Sequence, residues 1–113
     1  MAVTETLKQN SDFHRAYGRG QSAVSPVLVT YALPNKTGSC RVGITASKKI
    51  GTAVERNRCR RIIKAAFSSL NSECAGGKDL VFVARFKTKN AKMQDVAAVM
   101  REHLVSLGVI RTD

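Results

Sequence analysis

Between Arg41 and Leu70 the hydrophobic period of this chain changes from two to 3.6, which dictates a strand followed closely by a helix. Val42, Ile44 and Ala46 alternate with Arg41, Gly43, Thr45 and Ser47, as in a strand with one apolar face. The opposite face is small and polar, which suits either a closely approaching ligand backbone or plain solvation. From about Ala53 a helical wheel gathers Cys59, Ile62, Ile63, Ala66, Phe67 and Leu70 on one side. Gly76 and Gly77 break the chain, and Asp79 to Arg85 then reads as a near-continuous apolar strand, buried on both faces. Strand, helix and strand at this spacing predict a parallel βαβ unit.

The flanking segments complete the pattern. Ser11 to Tyr17 reads as a short helix, with Ser11 as its cap, Asp12 in its first turn and Gly18 or Gly20 at its end. Val27 to Leu33 is β-branched and aromatic, a strand stopped by the Pro34-Asn35 turn, and Ser22-Ala23-Val24 is a weaker partner strand across Ser25-Pro26. Met93, Val96, Ala97, Met100, Leu104 and Leu107 mark a last amphipathic helix ending near Gly108. The expected class is α+β: a small α–β sandwich with a mostly antiparallel four-stranded sheet, helices on one side, and a βαβ crossover carrying the basic helix. With 113 residues, 43% of them hydrophobic, residues 1–113 are expected to form one domain.

Charge narrows the function. Nineteen lysines and arginines face 8 acids, for a net +11. Arg41, Lys48, Lys49, Arg56, Arg58, Arg60, Arg61 and Lys64, opposed only by Glu55, put +7 of this between residues 41 and 64. Arg56, Arg60, Arg61 and Lys64 cluster on the helix side away from the apolar stripe, with Asn57 among them and Arg58 on the flank. Like charges one turn apart repel by a few tenths of a kcal/mol per pair, so a polyanion that neutralises the stripe explains it better than solvation does. Arginine rather than lysine dominates, which suits forked phosphate contacts. The partner expected is nucleic acid.

Catalytic constellations are missing. The acids are scattered, whereas a metal-dependent nuclease needs two or more carboxylates around Mg²⁺. Glu55 reads as a charge partner of the arginines and Asp79 as a turn residue. No Ser-His-acid or Cys-His set is evident, and residues 43–49 lack the second glycine of a phosphate-binding loop. Cys40, Cys59 and Cys74 are odd in number and widely spaced, which indicates reduced thiols, and His14 and His103 lie too far apart to suggest zinc. No apolar run reaches the ~20 residues of a membrane span, and no secretory leader is evident, so a cytoplasmic location is expected. Of the aromatics, Phe67 and Phe82 fit apolar faces. Phe13, Tyr17 and Tyr31 are either core or a stacking platform for unpaired bases.

The run Arg41-Val42-Gly43-Ile44-Thr45-Ala46-Ser47-Lys48-Lys49-Ile50-Gly51-Thr52-Ala53-Val54-Glu55-Arg56-Asn57-Arg58-Cys59-Arg60-Arg61 closely resembles the signature of the bacterial ribonuclease P protein component. Phe13-His14-Arg15-Ala16-Tyr17 with Gly20 is similar to that family's first helix, and Tyr31 to Asn35 and Asp79 to Arg85 match its flanking strands. The likeness spans about Leu7 to Leu107. Two cations are exchanged, Arg60 for the usual lysine and Lys64 for the usual arginine, and the stretch before Phe13 carries only Lys8.

The resemblance implies an α–β sandwich with a left-handed crossover, an exception to the usual right-handed rule. It implies a cofactor of a ribozyme: the RNA subunit removes the 5′ leader of precursor tRNA using Mg²⁺ held mainly by RNA, and the protein alone binds no metal. The implied partners are ribonuclease P RNA and precursor tRNA, with no membrane and no small-molecule substrate. Arg56, Asn57, Arg58, Arg60 and Arg61, with Lys64 in the same stripe, match the helix that contacts the RNA subunit. Phe13, Tyr17, Tyr31, Ser47 and Lys48, extended here to Lys49, match the cleft that holds the leader. A structural RNA binder of ribosomal type is the alternative, and it predicts no use for the three aromatic rings.

Overall fold

The computed structural model describes residues 4–112. Five strands, β1 (Thr4–Thr6), β2 (Gln21–Val24), β3 (Leu28–Pro34), β4 (Cys40–Thr45) and β5 (Lys78–Ala84), form one sheet in the order β1-β4-β5-β3-β2. Three α-helices, α1 (Asn10–Arg19), α2 (Ala53–Leu70) and α3 (Met93–Ser106), pack on it. The α+β sandwich and the parallel βαβ unit expected from the sequence are both present, with β4 and β5 paired parallel and α2 between them in the chain.

Three details differ from expectation. The sheet has five strands rather than four, because the polar triplet Thr4-Glu5-Thr6 pairs parallel with Cys40-Arg41-Val42 at one edge. It is mixed rather than mostly antiparallel, with β1–β4 and β4–β5 parallel and β5–β3 and β3–β2 antiparallel. The helices are not all on one side. Leu28, Ala32, Val42, Leu80, Phe82 and Ala84 join Cys59, Ile63, Phe67, Val96, Met100 and Leu104 in the main core under α2 and α3. On the other face Ala16 of α1 packs with Leu7 and Val81, flanked by Phe13, Tyr31 and Val83.

Local chemistry explains the elements. α2 opens with a reciprocal capping box: the Glu55 N–H donates to Thr52 Oγ1 at 3.2 Å, and the Thr52 N–H donates to Glu55 Oε1 at 3.0 Å. Its buried residues Cys59, Ile63, Ala66, Phe67 and Leu70 recur every three or four positions, so 18 residues present one continuous stripe to the sheet. α1 begins one residue before the expected cap, with Gln9 at the N-cap and no side-chain cap bond, so Ser11 lies inside the helix. α3 ends at Ser106 with Leu107 as its cap, and the next residue, Gly108, has a φ of 77° that reverses the chain where a β-carbon would be strained.

Asp79 is not a turn residue. It is 2% exposed, inside β5, and accepts two hydrogen bonds from the Arg41 guanidinium, at 2.8 and 2.7 Å, and one from the Asn35 amide at 2.7 Å. Burial pushes the Asp79 pKa up, but the bonds from Arg41 and Asn35 outweigh it and hold the carboxyl below its ordinary range. Arg41 also lies 3.5 Å from Asp12, which ties the first turn of α1 to β4. One cation of the 41–64 cluster is therefore structural.

Candidate RNA interface

The cationic side of α2 is unneutralised. Asn57, Arg58, Arg60, Arg61 and Lys64 are exposed and Arg56 is half-buried. Among the described residues none of these five cations forms an ion pair. Arg60 Nη1 donates to Asn57 Oδ1 at 3.3 Å, which steadies the guanidinium one turn along the helix. Arg56 Nε is buried and has no hydrogen-bond acceptor among the described residues. A buried donor without an acceptor is costly, and a phosphate oxygen reaching this guanidinium would relieve it.

Glu55, expected to offset the arginines, does not. Its carboxylate receives the Thr52 N–H and pairs with Lys89 Nζ at 3.1 Å, and these bonds, that from Thr52 foremost, keep its pKa low. Lys89 also donates to the Ile50 carbonyl at 3.2 Å, so a lysine far along the chain consumes the only acid of the stretch. The arginine stripe faces outward with its charge intact.

A second surface lies across the sheet, on the α1 side. Tyr17 and Tyr31 meet edge to face, with ring centroids 5.1 Å apart, and the Tyr17 hydroxyl lies 3.5 Å from Thr45 Oγ1. Tyr17 is 39% exposed, whereas Phe13 and Tyr31 are half-buried against Leu7, Ala16 and Val81. The bare strand face at Gly43 is filled by the protein itself: the Phe13 ring occupies the space above it. Phe13 is thus chiefly a packing residue, while Tyr17 offers the most open ring of these three.

Strand pairing extends this surface beyond what the sequence indicated. Val24 pairs with Val29, Val29 with Val83, and Thr45 with Val83, so these four side chains form one row across β2, β3, β5 and β4 on the α1 face. Val24 is 64% exposed and the other three are half-buried. Ser47, Lys48 and Lys49 are exposed on the 3-10 turn Lys48–Ile50 and its cap, where the chain leaves β4 beside Thr45. The result is a largely apolar strip on the α1 face, with the Tyr17–Tyr31 pair beside it and the Ser47–Lys49 turn following Thr45 at its β4 end. That shape suits unpaired bases on a phosphate backbone. Tyr17 and Tyr31 thus meet beside Thr45, two residues before the exposed Ser47–Lys49 segment, whereas Arg56 to Lys64 lie on α2.

Among the described residues no three His, Cys, Asp or Glu side chains gather, so the side chains present do not fit a metal cage. Asp12 and Asp79 are bound to Arg41, Glu55 to Lys89, and Glu73 to Arg101 at 3.0 Å.

Residues 1–108 match the family model described as Ribonuclease P. The chain belongs to the ribonuclease P protein family. The ribonuclease P protein component of Clostridioides difficile (strain 630) is 44% identical over 94 residues, covering 82% of each chain. That of Pelotomaculum thermopropionicum is 40% identical over 96 residues, covering 85% of this chain and 86% of the relative. The solved ribonuclease P protein of Staphylococcus aureus superposes with a TM-score of 0.82 at 32% identity, covering 94% of this chain and 97% of that one. The ribonuclease P family fold is thus reproduced along nearly the whole chain. Its sheet sets the tyrosine pair beside β4 on the α1 face, while α2 with its arginines packs on the other face.

Proposed function

We propose that this chain is the protein subunit of a bacterial ribonuclease P, the endoribonuclease that removes the 5′ leader of precursor tRNA, with hydrolysis carried out by the RNA subunit. Membership of the family carries this reading. The partners are ribonuclease P RNA and precursor tRNA, and the work is cytoplasmic. No helix of the described residues is long and apolar enough to cross a membrane. Residues 1–113 act as one domain.

The two surfaces support a division of labour. Arg56, Asn57, Arg58, Arg60, Arg61 and Lys64 bind the phosphates of the RNA subunit, because they form an exposed stripe whose nearby acid is already paired. Tyr17 and Tyr31, positioned by Phe13, stack on unpaired leader bases while Ser47, Lys48 and Lys49 hold the leader backbone. Bound this way, the leader is fixed at one end of the substrate and the protein lowers phosphate repulsion around the cleavage site. Mg²⁺ is held mainly by the RNA.

The test is cleavage of a 5′-labelled precursor. RNA subunit plus this protein should release the leader at the mature 5′ end, and the protein alone should release nothing. Metal-dependent cleavage by RNA-free protein would overturn the reading in favour of a protein nuclease.

A further inference from the structure

We propose that Phe86 is a stacking platform for one unpaired RNA base, beside the start of the arginine helix and apart from the tyrosine pair. The inference rests on the RNA-binding reading above. Phe86 opens the 3-10 turn Phe86–Asn90 and is 62% exposed; the only large hydrophobic residues more exposed among those described are Val54, at 75%, and Val24, at 64%. Val54 sits in the first turn of α2, the turn that Lys89 clamps through Glu55.

The ring is fixed from behind. Lys89 Nζ lies 4.0 Å from the ring centroid, and Glu55 Oε2 and the Ile50 carbonyl hold that ammonium at 3.1 and 3.2 Å. The ring therefore rests on an immobilised cation while the residue stays 62% exposed. The backbone under it is anchored as well. The Arg85 N–H donates to Thr88 Oγ1 at 2.8 Å, the fully buried Thr88 hydroxyl donates to the Val27 carbonyl, and Arg85 Nη1 donates to the Ser25 carbonyl at 3.0 Å. A ring already held in place loses little freedom when a ligand covers it.

Charge selects the occupant. Residues 85–92 carry Arg85, Lys87, Lys89 and Lys92 and no acid. They pack against the 3-10 turn that exposes Lys48 and Lys49. An apolar protein partner would have to desolvate Arg85, Lys87 and Lys92 with no acid to pair them. A nucleotide covers the ring with its base and meets the cations with its phosphates. An unpaired base of the leader and one of the RNA subunit offer the same chemistry.

Phe86→Ala and Phe86→Trp in the full chain separate these sources. The chain has no tryptophan, so the second variant carries a single tryptophan whose emission is read apart from that of the two tyrosines. The probes are a short unstructured oligouridylate and isolated ribonuclease P RNA. Both variants should melt as the wild type does. Phe86→Ala should bind at least one probe about fivefold or more weakly, as the removal of a base stack requires. Phe86→Trp should keep its affinity, and that same RNA should quench its emission. Loss and quenching with the oligouridylate assign the base to the leader; with the RNA subunit alone, to that subunit. Unchanged affinity for both probes, or a loss without quenching, overturns the proposal and leaves the ring to a protein partner. If the wild type itself binds neither RNA, the reading beneath the proposal falls too, and the two failures are thereby told apart.

Discussion

The Phe13 ring occupies the space that a side chain at Gly43 would need: a β-carbon there would lie 2.5 Å from Phe13 Cε1 and 3.2 Å from Leu7 Cβ. Glycine at this position lets α1 approach the sheet, and α1 carries Tyr17 to Thr45. Gly43→Ala should therefore displace Phe13 and cost about 1–3 kcal/mol, the usual range for overpacking. Thermal melting measures it. Combined with Phe13→Ala, the change should cost less than the two single losses added together, because the clash is gone. Strict additivity would mean that the two residues do not meet.

The arginine stripe makes a separable prediction. Neutralising Arg58, Arg60 and Arg61 together should leave the melting temperature almost unchanged, since all three are exposed and lack ion pairs among the described residues. Binding to the RNA subunit should weaken. Its log–log salt slope should flatten by about 0.9 per lost duplex contact, or about 0.7 for single strands. A variant that keeps the wild-type slope would move the RNA face elsewhere.

Tyr17 and Tyr31 should discriminate precursor from product. Stacking requires unpaired bases, which precursor tRNA carries in its leader and mature tRNA lacks. Tyr17→Ala should weaken holoenzyme binding to precursor by roughly 1–3 kcal/mol and leave mature tRNA nearly untouched. Tyr31→Ala should lose both this and some stability, because Tyr31 is half-buried beside Val81. Equal losses for precursor and product would reduce the pair to packing.

His103 supplies a pH signature in the fold. It is 7% exposed on α3, and its Nδ1 and Thr30 Oγ1 are hydrogen-bonded at 2.9 Å. Burial lowers its pKa, only partly countered by Glu102. The unfolded chain therefore takes up the proton more readily, and the stabilising contribution is complete above the ordinary histidine value of about 6.5. It is lost as the pH falls below that value. Melting temperatures between pH 7.5 and 5.5 should decline in the wild type and decline less in His103→Gln. Parallel declines would contradict this assignment.

Much of this was legible from periodicity and from the glycines that end helices, whereas the helix starts at Gln9 and Thr52 and everything that depends on strand pairing escaped. The strand-to-helix switch at residues 41–70 placed β4 and α2, since their patterns are local. β1 escaped because Thr4-Glu5-Thr6 has no apolar alternation and becomes a strand only by bonding to β4. Arg41 looked like a free cation and Asp79 like a turn residue because they are 38 positions apart and meet only across paired strands. Lys89 likewise reaches Glu55 only in the folded chain. The row Val24, Val29, Val83 and Thr45 comes from four strands, and no single one of them announces it.

The central claim is that the protein assists an RNA catalyst through charge and leader binding, not through a metal site of its own. The direct measurement is the Mg²⁺ dependence of precursor cleavage by a bacterial ribonuclease P RNA, with and without this chain. The protein should shift the required Mg²⁺ to lower concentration and leave the cleavage position unchanged. Identical Mg²⁺ dependence in the two reactions would contradict the account.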